Sequence, residues 1–122
     1  MEFCTEVVAV TTTGVAGSAT GSGTSAAMNG LLWDVYLDYH ASCPVTADVT
    51  IAYADRGGNI LVVSNNATDG LYHPRAKPVD NANAAITNAH DKFALHGALT
   101  MSVAQADALT ACVTAYITYL RL

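Results

Sequence analysis

Few side chains of the 122-residue sequence have the types and spacing that catalysis requires. Asp34 and Asp38 could form a carboxylate pair, but four residues of extended strand, at about 3.3 Å each, separate their backbones by about 13 Å. Glycosidases that work through two carboxylates hold them no more than about 9.5 Å apart. We therefore predict a solvated strand face at these positions.

Metal-ligating and nucleophilic side chains are equally isolated. Asp38 and His40 are close enough to share a metal ion, but zinc sites have three or four ligands and no third is signalled. Cys43 follows His40 by three residues and has no clear base or electropositive pocket to activate its thiol. The other histidines are interpreted as surface or loop residues: His73, His90 and His96. The sequence thus predicts no enzyme, no cofactor and no metal site.

Three cysteines, Cys4, Cys43 and Cys112, are widely scattered and form no C-x-x-C pair. We interpret them as free thiols of a protein made in a reducing cytoplasm, with one disulfide as the alternative. The N-terminus has an acidic residue, Glu2, where a secretory signal would be basic, and no long apolar run follows. No stretch has the roughly 18 apolar residues of a membrane helix.

Alternation of apolar and polar residues is the main structural signal. Between residues 31 and 40, Trp33, Val35 and Leu37 fall on one face of a predicted strand, and Asp34 and Asp38 on the other. This period of two is typical of a half-buried strand. The dipeptide Asn29-Gly30 before it predicts a turn.

Similar patterns predict about eight strands. They cover residues 3–13, 18–28, 31–40, 48–53, 60–63, 92–96, 99–103 and 109–120. The segment 48–63 reads as a hairpin around Gly57-Gly58. Residues 104–119 are rich in alanine, which favours a helix, but their Thr and Val residues and their alternation favour a strand. An antiparallel, all-β sandwich or jelly-roll-like fold is expected.

The predicted core consists of the apolar faces of these strands: Trp33, Val35, Leu37, Val49, Ile51, Phe93, Leu95, Val113 and Ile117. We expect one domain over residues 1–122, in which residues 1–29 form either a pair of strands or a partly extended arm.

A long segment, residues 64–91, interrupts the pattern of strands. Loops of this length inside a compact domain are usually functional. It combines apolar side chains, prolines and two cations in an acidic protein, which favours a protein-binding role. The predicted interaction residues are Leu71, Tyr72, His73, Arg75 and Lys77, together with Phe3 near the N-terminus. The alternative is a loop that covers the end of its own sandwich, with Tyr72 packed inside.

Composition excludes some partners and favours others. Only 12% of the residues are charged and 52% are hydrophobic, so the sequence lacks the charges that usually separate monomers. The net charge of −5 and the five basic residues argue against nucleic acid, which binds clustered Lys and Arg. We expect neither nucleic acid nor a membrane as a partner.

Several stretches together resemble a known class of protein. They are DVTIAYADRGGNIL (48–61), NNATDGLYHPR (65–75), DKFALHG (91–97) and LTMSVAQAD (99–107). As a set, and in this order, they resemble the small all-β decoration (cement) proteins encoded among the structural genes of tailed bacteriophages. The resemblance covers roughly residues 30–120, and residues 1–29 match nothing specific.

The resemblance implies a sandwich or jelly-roll protomer, commonly a homotrimer, on the outside of the virion. There it would bind the major capsid protein and stabilise contacts between neighbouring capsid subunits. It provides no catalytic residues. The alternatives are another phage structural role, such as a head–tail joining or tail protein, and a carbohydrate-binding sandwich. The latter would need an exposed aromatic platform, for which Tyr36, Tyr72 and Trp33 are the only candidates, and Trp33 is assigned to the core.

Overall fold

A computed structural model describes all of residues 1–122, and it contains nine strands and no helix. The strands are β1 (Glu2–Val10), β2 (Ala19–Thr24), β3 (Met28–Tyr39), β4 (Asp48–Tyr53), β5 (Asn59–Val63), β6 (Gly70–Tyr72), β7 (Ala94–Gly97), β8 (Leu99–Ala106) and β9 (Val113–Arg121). The all-β prediction is confirmed, and the predicted hairpin at residues 48–63 is β4 and β5.

Two antiparallel sheets face each other. One has five strands in the order β1-β9-β3-β6, with β7 pairing with β3 beside β6, and the other has the order β2-β8-β4-β5. Pairing is nested: β1 meets β9, β2 meets β8, β3 meets β6 and β7, and β4 meets β5. Two antiparallel sheets packed together form the expected β-sandwich, and the nested pairing is that of a jelly roll.

The core lies between the sheets and is formed by alternate residues of both. The predicted core residues Val35, Leu37, Val49, Ile51, Leu95, Val113 and Ile117 are buried. Phe93 is half-buried against this core. The C-terminal segment is a strand, as expected, although it begins at Val113 because residues 107–112 form a turn.

The prediction that Trp33 is buried was wrong. A β-bulge at Trp33 breaks the register between β3 and β9: Leu32 pairs with Tyr119, and Asp34 pairs with Thr118. One extra residue in a strand reverses which alternate positions face inward. Leu32 is therefore fully buried, whereas Trp33 lies on the outer face with 36% of its surface exposed.

Asn29-Gly30 is not a turn but part of β3. Gly30 pairs with Arg121 of β9 on one side and with Leu95 of β7 on the other. A Cβ at this position would collide with the backbone carbonyl of Leu120. Glycine is required here because two backbones approach closely, and not because the chain reverses.

Residues 1–29 contribute β1, β2 and the start of β3, and thus form strands of the two sheets and not an extended arm. The glycine-rich β2 pairs with β8 and packs close to β1, where a Cβ on Gly21 would overlap the carbonyl oxygen of Thr11. The small residues of β2 thus allow the strands to pack closely. The ninth strand, β6, lies inside the long segment that the sequence left without strands.

Candidate protein-interaction surface

The outer face of the five-stranded sheet carries a continuous line of exposed apolar side chains. Val7 of β1 pairs with Tyr116 of β9, Tyr116 with Tyr36 of β3, and Tyr36 with Leu71 of β6. Paired residues point to the same side of a sheet. These four residues, called the apolar row below, are exposed by 54%, 39%, 38% and 54%.

Two tyrosines form the centre of the apolar row. The rings of Tyr36 and Tyr116 lie 6.3 Å apart between centroids and are tilted by 49°. Partial desolvation, followed by the nearby carboxylates of Asp69 and Asp38, raises the pKa of Tyr36 above its usual value. The Tyr36 hydroxyl can donate a hydrogen bond on the side of the row where these carboxylates lie.

A second cluster, called the Trp33 corner, consists of Trp33 and the three residues that contact it: Phe3, Arg75 and Lys92. The edge of Phe3 meets Trp33 with 5.0 Å between ring centroids, and Lys92 Nζ lies 4.7 Å from the centroid of the Trp33 ring. Arg75 Nη1 donates hydrogen bonds to the carbonyl oxygens of Trp33, at 3.2 Å, and of Pro74, at 2.8 Å. Arg75 thus connects the long segment to the backbone of β3 at the bulge.

The predicted interaction residues do not form one cluster. Leu71 lies in the apolar row, and Phe3 and Arg75 lie in the Trp33 corner. Tyr72 is half-buried and packs against the core, as the alternative interpretation of the loop expects. His73 and Lys77 are exposed.

Sequence reasoning missed Val7, Tyr116 and Lys92 as members of this surface, and it considered Tyr36 only for a carbohydrate-binding platform. A signal for the tyrosines exists in the sequence, because large aromatic residues occupy positions on the strand face that alternation assigns to solvent. No such signal marks Trp33 or Lys92. The bulge turns Trp33 outward, and Lys92, which follows the long segment, then lies over its ring.

The long segment contains the one cavity of the structure, with a volume of about 330 Å³, lined by residues that include Lys77, Ile86 and His90. Its walls come from a single loop and converge on no buried polar group. Nowhere do three His, Cys, Asp or Glu side chains lie close enough to share a metal ion. No helix is long and apolar enough to span a membrane.

Comparisons with protein-family models, curated proteins and solved structures found no match for this chain. The family resemblance of its sequence therefore remains a prediction.

Proposed function

We propose that this protein is a capsid decoration protein of a tailed phage, which binds the major capsid protein on the outside of the virion through the outer face of its five-stranded sheet. The apolar row is the observation that carries the proposal. It crosses four strands, and no other part of the chain covers it.

The chemistry of this face suits a protein partner. Tyrosine is enriched at the energetic centres of interfaces, where it combines a large apolar area with one polar group. Side chains on paired strands are already held in place, so docking costs them little conformational entropy. Asp38 and Asp69 border the tyrosines, whereas Arg75 and Lys92 belong to the Trp33 corner. The face therefore suits a partner with an apolar patch that meets the tyrosines. Basic groups of the partner would lie opposite Asp38 and Asp69, and acidic groups opposite the Trp33 corner.

A homotrimer is part of the same proposal. Only 12% of residues are charged, and both sheets have edge strands whose unpaired backbone groups a ring of copies would cover. Sedimentation equilibrium should give three times the 12.6 kDa of one chain. A monomer both at high concentration and on the particle would contradict this part.

The test compares two pairs of exposed aliphatic residues. Val7→Ser with Leu71→Ser changes both ends of the apolar row, and Val62→Ser with Val45→Ser changes residues elsewhere that are at least as exposed. Both double variants should melt close to wild type, because exposed substitutions usually change stability by less than about 0.5 kcal/mol per site. Capsids of the encoding phage, stripped of the native protein, are then incubated with each variant and pelleted.

We expect the row variant to lose at least about tenfold in affinity, because two lost apolar contacts reach that factor once they cost about 1.4 kcal/mol together. The control variant should bind like wild type. Equal retention of the two variants would exclude the apolar row as the docking surface, and failure of wild type to bind capsids would exclude the decoration role.

Carbohydrate binding is the second candidate, because Trp33 lies outside the core with Tyr36 on the same face of the sheet. Jelly rolls include lectin domains, although a shared fold does not imply function. Lys92 and Phe3 already contact the Trp33 ring, which reduces the area free for a sugar. Trp33 is the single tryptophan, so a change in its fluorescence on glycan titration would favour this candidate.

A further inference from the structure

Two of the three cysteines meet inside the sandwich. The Sγ atoms of Cys43 and Cys112 lie 3.6 Å apart, with the Cys112 thiol donating toward Cys43. Cys112 is fully buried and Cys43 is 8% exposed. A disulfide has a sulfur–sulfur distance of about 2.05 Å, so the two atoms need to approach by about 1.5 Å.

The backbone holds both residues in place. Cys43 lies in the connection from β3 to β4, and Cys112 in the connection from β8 to β9, both of which cross between the two sheets. The amide of His40 donates to the carbonyl of Cys112 at 2.9 Å, and the amide of Cys43 donates to the carbonyl of His40 at 2.9 Å. Their proximity therefore follows from the hydrogen bonds of two crossovers.

We propose that Cys43 and Cys112 are a built-in site of disulfide formation, which a small-molecule disulfide oxidises to a covalent link between these crossovers. One thiolate attacks the oxidant, forms a mixed disulfide and releases one thiol. The second thiolate then attacks the protein sulfur of that mixed disulfide and releases the other thiol. The protein loses two hydrogen atoms and gains one S–S bond, and the oxidant takes up both electrons and both protons as two thiols.

The third cysteine is too far away to compete. Cys4 pairs with Tyr119 in the β1–β9 ladder, whereas the amide of Cys112 donates to the carbonyl of Val10 at the opposite end of β1. Six residues of strand separate Cys4 from Val10, or about 20 Å. A link from Cys4 to Cys112 would require the sheet to unfold.

Burial makes the site slow to react in the folded state. Desolvation, followed by the hydrogen bond with Cys112, raises the pKa of the Cys43 thiol to about 12. Little thiolate therefore exists at neutral pH, and exchange with an oxidant needs an opening of the connection between β3 and β4.

The raised pKa also has a consequence for stability. The unfolded thiol ionises near pH 8.5 and the folded one near 12, so the unfolded state binds fewer protons in this window. The stability that the protonated Cys43 thiol contributes to the reduced protein is fully present below about pH 8.5 and is lost as the pH rises toward 12. Once Cys43 is in a disulfide, it no longer ionises and its contribution to this loss disappears.

The experiment uses the full chain with Cys4→Ser, so that two thiols remain, and Cys4→Ser with Cys43→Ser as the control. Each protein is treated with oxidised glutathione at pH 8.5, denatured so that every remaining thiol is accessible, alkylated with N-ethylmaleimide and weighed intact. Trypsin then cleaves after Arg56 and Lys92, which places Cys43 and Cys112 in the peptides 1–56 and 93–121.

We expect the Cys4→Ser protein to be lighter by two hydrogen atoms, to take up no maleimide and to yield the two peptides as one linked species. Its Tm should rise by about 5–15 °C over the reduced form, since the link closes a loop of about 70 residues. The control should take up one maleimide or one glutathione. Two alkylated cysteines, stable mixed disulfides or a lowered Tm in the linked protein would overturn the proposal.

Discussion

The outer faces of the two sheets differ, although the strands behind them pair in the same way. Across the middle of each face runs one row of paired residues. On the four-stranded sheet the row is Ser22, Ser102, Thr50 and Val62. On the five-stranded sheet it is Val7, Tyr116, Tyr36 and Leu71.

Both sheets contribute to one core, so the inward positions are constrained by packing on both sides. The outward positions carry no such constraint, and three small hydroxyl side chains and one valine are sufficient in the row of the four-stranded face. Tyrosines on the other face are therefore not explained by the fold, which is the physical reason for placing function there.

The largest difference in stability between the sheets is expected when a glycine of each is replaced by alanine. Gly30→Ala should destabilise the protein by about 3 kcal/mol or more, because the new Cβ would collide with the Leu120 backbone, which cannot move without disrupting β9. In the four-stranded sheet, Gly23→Ala would bring its Cβ within 3.1 Å of a Val8 methyl group, which can shift.

We expect Gly23→Ala to cost about 1 kcal/mol, and urea denaturation of both variants measures the difference. Equal midpoints for the two variants would mean that β3 and β9 are not as close at Gly30 as the structure has them.

The next largest difference in stability is expected between two neighbouring residues at the bulge in β3. Leu32→Ala should cost about 2–4 kcal/mol because Leu32 is fully buried, whereas Trp33→Ala should cost about 1 kcal/mol or less. Thermal unfolding of the two variants compares inward and outward positions within one strand. A larger loss for Trp33→Ala would mean that β3 has the uninterrupted register that alternation predicts.

The smallest effect concerns pairs on the outer faces. Tyr36 and Tyr116 lie directly opposite each other, and a double-mutant cycle to alanine should give a coupling of about 0.5–1 kcal/mol. On the other sheet, Thr24 and Thr100 lie opposite each other with 3.1 Å between their hydroxyl oxygens, and we expect about 0.2–0.5 kcal/mol. A weaker coupling for the tyrosines would argue against a preformed aromatic pair.

Alternation was sufficient to predict the fold class and most of the core. It succeeded for Val49 and Ile51, and for Leu95 and Ile117, because a half-buried strand repeats every two residues. It failed at Trp33, because a bulge adds one residue without any local signal in composition. It also failed at Gly30, where the need for glycine comes from a neighbouring strand distant in sequence.

The candidate surface was less predictable than the fold. Leu71, Phe3 and Arg75 were predicted and lie on it, but their grouping depends on which strands are neighbours in the sheet. Tyr36 and Tyr116 are 80 positions apart and meet through the β3–β9 register alone. Pairing of this kind follows from topology, which the strand pattern of a single sequence does not specify.

The bulge at Trp33 also marks where the gene could change length. Deletion of a single residue from a regular strand would move the side chains on one side of the deletion to the opposite face of the sheet. Loss of the Trp33 codon would instead leave Leu32 opposite Tyr119 and Asp34 opposite Thr118, with both halves of β3 facing as before. Length variation among descendants of this sequence would be tolerated within β3 at this point.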